Sequence, residues 1–418
     1  MTKISIILII LGFLYVVYGL TRTYQMNVWQ NNVGETLPNS FTIELPLVRS
    51  ADNYFCVRGC INENYYADFI IDTQANSLIK METVNEMESY FWGNFPALVR
   101  NAYGQKGKYP LYYFESFTIQ SLSFNKPLFT GISKSNAIYD LLDTGVIGKN
   151  IIKQLFWKFS LDDEKMILFS NKDSSLLGKE TENYVKIENG LFKSSLYFPD
   201  ISTHDDFLVD LGCADAIMVN KQIFTALAEL YSPKKYVFFR QTTKKNDTIY
   251  FFDQIDFEWN NIQISNCRIT YSPITNRNLI GVEVMNRFNF VLAYNEKKRD
   301  RIANNLYIRP RNNFQDFKSD PYCSDFGFFI GKFGDHFIIR GIEIGGLADK
   351  AGIGIKDKIT GIDHSNFDLH DYKQLDLYLK DKESVILEIE KDGRRIDIKL
   401  SKDAHPLTLL PEKVLRID

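Results

Sequence analysis

Cysteine and histidine are scarce in this chain of 418 residues, with five of each, and the scarcity excludes two common kinds of site. Five cysteines do not make the even-numbered framework of a disulfide-stapled fold. Cys56 and Cys60 lie too far apart along an extended strand to be bridged. The histidines show no metal-ligand spacing, so neither a metal site nor a cofactor is predicted.

Charge of one sign is also lacking. The chain carries 49 basic and 52 acidic side chains and a net charge of −3, so no nucleic-acid partner is expected. Aromatic side chains are abundant instead, with 32 Phe and 23 Tyr, and hydrophobic residues make up 45% of the chain. This composition is typical of a β-rich protein with substantial cores, and the length suits two or three domains.

An apolar run from Ile4 to Leu20 lies at the N-terminus between basic residues. It is long for the core of a signal peptide and shorter than the ~20 residues of a comfortable membrane span. Residues 1–22 are therefore either a signal peptide cleaved after Gly19 or an uncleaved membrane anchor. Both alternatives predict export to the cell envelope or periplasm, and the second makes the membrane a partner. The polar residues 21–40 that follow predict a linker.

Two motifs occur twice in the same order. Asp72 follows the apolar segment Phe-Ile-Ile, and Asp210 follows the apolar segment Phe-Leu-Val. A hydrophobic–hydrophobic–Gly motif comes behind each aspartate at nearly the same offset, within 145–152 and 278–285. This order indicates an internal duplication. Two strand ends that each deliver one carboxylate suggest a shared two-aspartate centre.

Residues 41 to about 310 resemble a two-lobed aspartic peptidase of the retropepsin/pepsin type. Each lobe of that family has a strand, a catalytic Asp-Thr/Ser-Gly turn, a flap hairpin and a hydrophobic–hydrophobic–Gly motif before a short helix. Both copies in this chain follow that order. The resemblance implies two duplicated β-barrel lobes, over residues 41–172 and 173–310. It also makes the hairpin tips at 102–107 and 241–247 flaps over a cleft, with plain surface loops as the alternative.

Paired aspartates have a defined chemistry. Two carboxylates a few ångströms apart cannot both ionise, so they share a proton and their apparent pKa values separate. The ionised member acts as a general base on a water, and the protonated member donates to the scissile carbonyl. The resemblance therefore assigns catalysis to Asp72 and Asp210. It implies a peptide or unfolded protein as substrate and requires no metal or cofactor.

The two catalytic triplets depart from the family pattern. The first, at 72–74, reads Asp-Thr-Gln, and the second, at 210–212, reads Asp-Leu-Gly. A Cβ at Gln74 is costly if the backbone there needs a positive φ. Leu211 removes one of the two matched hydroxyls that hold the loops together in the family, which leaves a buried partner at risk of being unpaired. The predicted supporting residues are Thr73, Gln74 and Gly212.

A second aspartate motif is set aside. Asp143 begins the only literal Asp-Thr-Gly sequence in the chain. It adjoins the glycine motif of the first copy and does not follow an apolar strand end. Asp143 is therefore not predicted to be catalytic.

Residues 323–405 resemble a PDZ domain. Phe326-Gly327-Phe328 matches the carboxylate-binding loop of that family, and the Leu-Ala-Asp-Lys-Ala-Gly sequence at 347–352 matches its conserved turn. The resemblance implies that the loop at 326–328 binds the C-terminal carboxylate of a peptide. The peptide would add as a strand beside a helix predicted at Tyr372–Leu379. The alternative is a docking module that binds only its own lobes.

The sequence thus predicts a mainly β fold in which two duplicated acid-protease-type lobes precede a PDZ domain. The predicted function is that of an exported aspartic endopeptidase whose PDZ domain binds peptide or substrate termini. The alternative is a catalytically weak or inactive pseudopeptidase that acts as a peptide-binding protein. It stays open because both triplets are degenerate and an aspartate after a strand is often only a turn residue.

Overall fold

The computed structural model describes residues 3–50, 53–93, 98–100, 106–134, 139, 142–240, 245–274, 277–298, 301–314, 325–333, 336–364, 378–379, 382–391 and 393–402. Within these residues the chain is mainly β, as predicted, and its strands form barrel-like sheets.

The helices, in chain order, are α1 (Lys3–Asn32), α2 (Met81–Asn85), α3 (Lys149–Ile152), α4 (Ser174–Glu180), α5 (Lys221–Leu230), α6 (Val282–Met285) and α7 (Leu347–Lys350). The strands as far as the end of the first copy are β1 (Thr42–Pro46), β2 (Val48–Arg49), β3 (Phe55–Ile61), β4 (Tyr65–Ile71), β5 (Leu78–Lys80), β6 (Tyr90–Gly93), β7 (Leu98–Arg100), β8 (Lys106–Lys108), β9 (Leu111–Tyr113), β10 (Ser116–Ile119), β11 (Leu122–Asn125), β12 (Leu128–Ile132), β13 (Gly145–Ile147), β14 (Leu155–Ser160) and β15 (Lys165–Ser170).

The strands of the second copy are β16 (Val185–Ile187), β17 (Ser194–Phe198), β18 (Thr203–Val209), β19 (Ile217–Met218), β20 (Lys234–Arg240), β21 (Lys245–Trp259), β22 (Ile262–Tyr271), β23 (Leu279–Ile280), β24 (Phe288–Lys298) and β25 (Arg301–Pro310). The C-terminal strands are β26 (Phe328–Phe333), β27 (His336–Glu343), β28 (Lys358–Ile362), β29 (Ser384–Lys391) and β30 (Arg394–Ser401).

Helix α1 runs without a break from the apolar run into the segment that was predicted to be a linker. Its part Ile7–Asn32 is long and apolar enough to cross a membrane. A signal sequence near an N-terminus has the same length and composition, so the helix fits both alternatives stated above.

The C-terminal end of α1 packs against the first lobe. The rings of Trp29 and Trp92 lie 4.3 Å apart, centroid to centroid. Val33 and Leu37, just beyond the helix, are buried in the main core. The prediction that residues 21–40 form a linker is therefore wrong, because the helix continues to Asn32 and the apolar side chains at its end and just beyond it pack against the first lobe.

The first lobe is a ten-stranded sheet in the order β11-β10-β3-β4-β13-β5-β12-β9-β6, with β2 beside β3. Strands β4 and β13 run parallel, with Phe69 opposite Gly145. Strands β7 and β8 form a separate hairpin where the first flap was predicted. Most of the predicted tip at 102–107 lies outside the described residues.

The second lobe repeats this arrangement with the strands β17-β18-β23-β19-β22-β21-β20. Strands β18 and β23 run parallel, with Leu208 opposite Leu279. Strand β17 also pairs with β21, which closes the sheet on itself. Strands β20 and β21 form the hairpin predicted as the second flap, and residues 241–244 of its tip lie outside the described residues.

A six-stranded antiparallel sheet joins the two lobes in the order β1-β15-β14-β24-β25-β16. Its central pair is β14 with β24, where Trp157 lies opposite Leu292. One continuous hydrophobic core runs through both lobes. The lobes are therefore two halves of one packed body, and their duplicated strands meet at this sheet.

The C-terminal strands form a unit with its own hydrophobic core. Strands β27, β28, β29 and β30 pair in sequence, and β26 pairs with β27. Strand β27 also pairs with β20 of the second lobe, with Phe238 opposite Gly341. The predicted helix at 372–379 lies largely outside the described residues, although residues 378–379 are helical.

Candidate active site

Each of the two aspartates predicted to be catalytic follows a strand that is held by the glycine motif of its own lobe. The backbone N–H of Asp72 donates to the carbonyl of Ile147 at 3.0 Å. The backbone N–H of Asp210 donates to the carbonyl of Ile280 at 2.8 Å. Parallel pairing of β4 with β13, and of β18 with β23, therefore fixes the two aspartate loops in the same way.

Two glycines complete this repeated geometry. A Cβ at Gly148 would overlap the backbone of residues 75–77, and a Cβ at Gly281 would overlap the carbonyl of Asp215. The residue after each glycine donates its backbone N–H to the aspartate loop at 2.8 Å, from Lys149 in the first lobe and from Val282 in the second. The glycines are needed because the two chains touch here.

The two aspartates meet at the contact between the lobes. The carboxyl groups of Asp72 and Asp210 are in hydrogen-bond contact with each other, and both side chains keep partial solvent access. Gly212 packs directly against Asp72, and a Cβ there would overlap the Asp72 carboxylate. A hydrogen bond between the two carboxyls allows them to share one proton.

Backbone N–H groups donate hydrogen bonds to one oxygen, Oδ1, of each aspartate carboxylate. Oδ1 of Asp72 accepts hydrogen bonds from the N–H groups of Gln74 at 2.7 Å and Ala75 at 2.8 Å. Oδ1 of Asp210 accepts from the N–H of Gly212 at 2.9 Å. Each carboxylate is therefore oriented by its own loop before any substrate binds.

The surroundings of the pair favour its protonated form. Burial raises the pKa of Asp72, against the lowering effect of the backbone N–H groups of Ala75 and Gln74. Burial, followed by the negative charge of Asp72, raises the pKa of Asp210 to about 8. One proton is therefore retained on the pair well above the ordinary range of an aspartate.

Two cations act on the pair. The positive charge of Lys149 favours ionisation of both aspartates, and that of Arg277 acts on Asp210. Burial lowers the pKa of Lys149, while the charges of the two aspartates oppose this shift. These cations partly offset the effect of burial, which alone favours two neutral acids.

Hydrogen bonds between the lobes fix the two loops relative to each other. The hydroxyl of Thr73, which is fully buried, donates to the carbonyl of Val209 at 2.7 Å and accepts from the N–H of Leu211 at 3.0 Å. The side-chain amide of Gln74 donates to the same carbonyl of Val209 at 2.8 Å. Three bonds thus link the first loop to the second.

The conformational cost that a positive φ would impose on a side chain does not arise at Gln74. Its backbone φ is not positive, so a Cβ at this position causes no conformational strain. The glycine requirement applies at the equivalent position of the other loop, where Gly212 leaves room for Asp72. The two loops are therefore asymmetric, and only the second requires glycine at this position.

Three contributors to the site were not found in the sequence: Lys149, Arg277 and Tyr294. The hydroxyl of Tyr294, on β24, donates to the carbonyl of Thr73 at 3.0 Å and is buried. Lys149 lies within the first glycine motif and Arg277 directly precedes the second, so their place in the sequence could have indicated a role in the site. Nothing local marks Tyr294, because its contact is formed only by the sheet between the lobes.

The remaining predicted residues lie elsewhere. Asp143 is exposed and lies before β13. Phe326 and Phe328 are buried in the core of the C-terminal unit, and Gly327 between them has a positive φ of 80°. The structure therefore brings together Asp72, Thr73, Gln74, Asp210 and Gly212, and it places the loop at 326–328 in a separate unit.

The described cysteines are free and buried: Cys56, Cys60, Cys213 and Cys267. Burial raises the pKa of the Cys213 thiol well above its ordinary value, so this neighbour of the aspartate pair stays neutral. Among the described residues, no group of three or more His, Cys, Asp or Glu side chains is arranged to hold a metal ion.

Comparison with known proteins finds similarity among solved structures only. No protein-family model and no curated protein matches the chain. Among solved structures, the chain is similar to the crystal structure of a retropepsin-like aspartic protease from Rickettsia conorii. The similarity has a TM-score of 0.22 and 17% sequence identity, and it covers 31% of this chain and 93% of that chain.

Proposed function

We propose that this protein is an aspartic endopeptidase in which Asp72 and Asp210 activate a water molecule between them. The observation that carries the proposal is the contact of the two carboxyl groups at equivalent strand ends of two duplicated lobes. A pair that shares one proton supplies the base and the acid of peptide hydrolysis at the same time.

In the proposed mechanism, the ionised carboxylate removes a proton from the water as the water attacks the scissile carbonyl. The protonated carboxyl donates to the carbonyl oxygen as it gains negative charge. Burial raises the pKa of both carboxyls, so the backbone donors support the assignment of the proton: Oδ1 of Asp210 accepts a single N–H bond, which favours Asp210 as the protonated member. The two N–H groups on Oδ1 of Asp72 support Asp72 as the ionised member.

The rest of the chain fits a substrate-handling role in this proposal. Residues 41–172 and 173–310 are the two lobes, residues 323–405 are a PDZ domain, and residues 1–22 direct export. The loop at 326–328 is proposed to bind the C-terminal carboxylate of a peptide or substrate. The substrate is a peptide or an unfolded protein, and the site of action is the cell envelope or periplasm.

The test is cleavage of an unfolded protein between pH ~3 and ~7, the range in which such dyads act. We expect cleavage that stops with Asp72→Asn and with Asp210→Asn. Asp143→Asn is the matched control, because it removes an exposed aspartate next to the literal Asp-Thr-Gly sequence. A peptide whose scissile carbonyl is replaced by a hydroxyl-bearing tetrahedral carbon should inhibit the reaction.

The pseudopeptidase alternative makes the opposite prediction. It expects that peptides bind to the folded protein without cleavage at any pH in this range. Undiminished cleavage in both Asp72→Asn and Asp210→Asn would refute the aspartic mechanism itself.

A further inference from the structure

Gln74 makes hydrogen bonds both to Asp72 and to the strand end that carries Asp210. Its backbone N–H donates to Oδ1 of Asp72 at 2.7 Å, and its side-chain amide donates to the carbonyl of Val209 at 2.8 Å. Val209 immediately precedes Asp210. The same amide also lies 3.4 Å from the carbonyl of Leu191 in the second lobe. A glycine at this position would keep the first of these bonds and lose the others.

Tyr294 supports the first loop from the other side. Its hydroxyl donates to the carbonyl of Thr73 at 3.0 Å, and its ring packs against Phe192. Burial, with the charges of Asp72 and Asp210, raises the pKa of Tyr294, so the phenol remains a protonated donor. Leu211, which offers no hydroxyl, is fully buried in the main core. Besides the Thr73 hydroxyl, two side-chain donors therefore tie the first loop to the second lobe: the amide of Gln74, which donates to Val209, and the hydroxyl of Tyr294, which donates to Thr73.

We propose that Gln74 and Tyr294 are positioning residues that together form a latch between the lobes and hold Asp72 in register with Asp210. Gln74 ties the Asp72 loop to the strand end that carries Asp210, and Tyr294 ties the same loop to the central sheet. The latch does the work of the hydroxyl that Leu211 cannot provide. The two departures in the triplets are then a compensated pair and not a sign of lost chemistry. This inference rests on the proposed function for its kinetic test.

The kinetic test uses variants that remove one donor at a time. Gln74→Met keeps the length of the side chain without its amide, and Tyr294→Phe removes only the hydroxyl. Each is expected to lower kcat about ten-fold, the rate equivalent of one hydrogen bond of ~1.4 kcal/mol, and to leave KM within about two-fold. Gln222→Met, at an exposed position of helix α5, and Tyr231→Phe, at the exposed residue after its end, are the controls and should match the parent.

A rescue experiment separates positioning from general stability. Gln74→Gly alone is expected to lower kcat by about the same ten-fold. Adding Leu211→Thr to this variant restores a hydroxyl at the contact between the lobes and should recover most of the loss. If Gln74→Gly alone raises kcat, or if Gln74→Met and Tyr294→Phe both match the parent, the latch is refuted.

The latch has a second readout that does not depend on catalysis. The N–H of Leu211 donates to the Thr73 hydroxyl, so its hydrogen exchange reports the contact between the loops. We expect exchange at this amide to become about ten-fold faster in Gln74→Met, while exchange in the C-terminal unit stays unchanged. If the parent does not cleave but exchange still responds in this way, the proposed function fails and the latch stands. Unchanged exchange in both donor variants overturns the latch whatever the activity.

Discussion

Gly212→Ala gives the sharpest test of the aspartate pair, because it adds one methyl group where the structure has no room. The Cβ would overlap the carboxylate of Asp72 from the opposite lobe. The backbone φ of Gly212 is not in the positive range, so alanine brings no conformational strain of its own. Replacing glycine by alanine at a compatible position otherwise stabilises a protein by ~0.4–1 kcal/mol.

The free-energy cost of Gly212→Ala comes from the hydrogen bonds that Asp72 loses. To avoid the methyl group, its carboxylate has to turn away from Asp210 and from the N–H groups of Gln74 and Ala75. Hydrogen bonds to a charged group contribute ~1.5–3 kcal/mol each, so the loss outweighs the gain from alanine, and we expect a net destabilisation of about 1–3 kcal/mol. Misplacement of the base by this amount should lower kcat/KM by about 10²–10³-fold.

The measurements are urea unfolding and cleavage of an unfolded protein at one pH. Gly178→Ala is the matched control, since Gly178 lies in helix α4 with nothing within 4 Å of the added Cβ. That change should stabilise the protein by ~0.5–1 kcal/mol and leave cleavage unchanged. If Gly212→Ala cleaves as fast as the parent, Asp72 does not act from the position described here, and the shared-proton mechanism fails.

Three further predictions concern pH, charge and the C-terminal unit. The pKa of Asp210 is raised from 3.8 to about 8 in the folded protein, so its contribution to stability is complete below pH ~4 and is lost as the pH rises through about 8. The difference in unfolding free energy between the parent and Asp210→Asn should fall over the same pH range. A difference that grows with pH would contradict this prediction. Lys149→Met removes a charge that favours ionised aspartates, so both limbs of the pH profile of kcat/KM should move to higher pH. An unmoved profile would show that Lys149 does not act on the pair. Gly341→Val places a side chain against the ring of Phe238 and should weaken the pairing of β27 with β20; hydrogen exchange at residues 236–238 should become faster, and full protection there would refute the contact.

The sequence was sufficient for the features that repeat locally. Asp72 and Asp210 stand out because an apolar strand runs into each, and the glycine motifs stand out because a close backbone approach tolerates no side chain. These patterns predicted the duplicated, mainly β fold and the two residues that the structure brings together. Their catalytic role stays a prediction.

Contacts between distant segments could not be predicted in the same way. Tyr294 reaches Thr73 only because β14 and β24 pair at the centre of the molecule. The segment 21–40 looked like a linker because its sequence is mostly polar, and its few apolar residues find their partners in the first lobe. The contact made by Gln74 could not be predicted either. A glutamine in place of the family's glycine suggests lost function, and only the structure shows that its amide donates to Val209 in the other lobe.

The duplication described above has a consequence for how the site can change over time. A symmetric homodimer assembles one site from two identical loops, so every substitution appears twice and must be tolerated on both sides. Here the two half-sites are covalently joined, and the second is always present at high effective concentration, whatever the amount of protein. Each loop is then free to diverge alone. Glutamine at position 74 and leucine at position 211 are such changes, each confined to one loop. The requirement for glycine is likewise confined to the second loop, at Gly212.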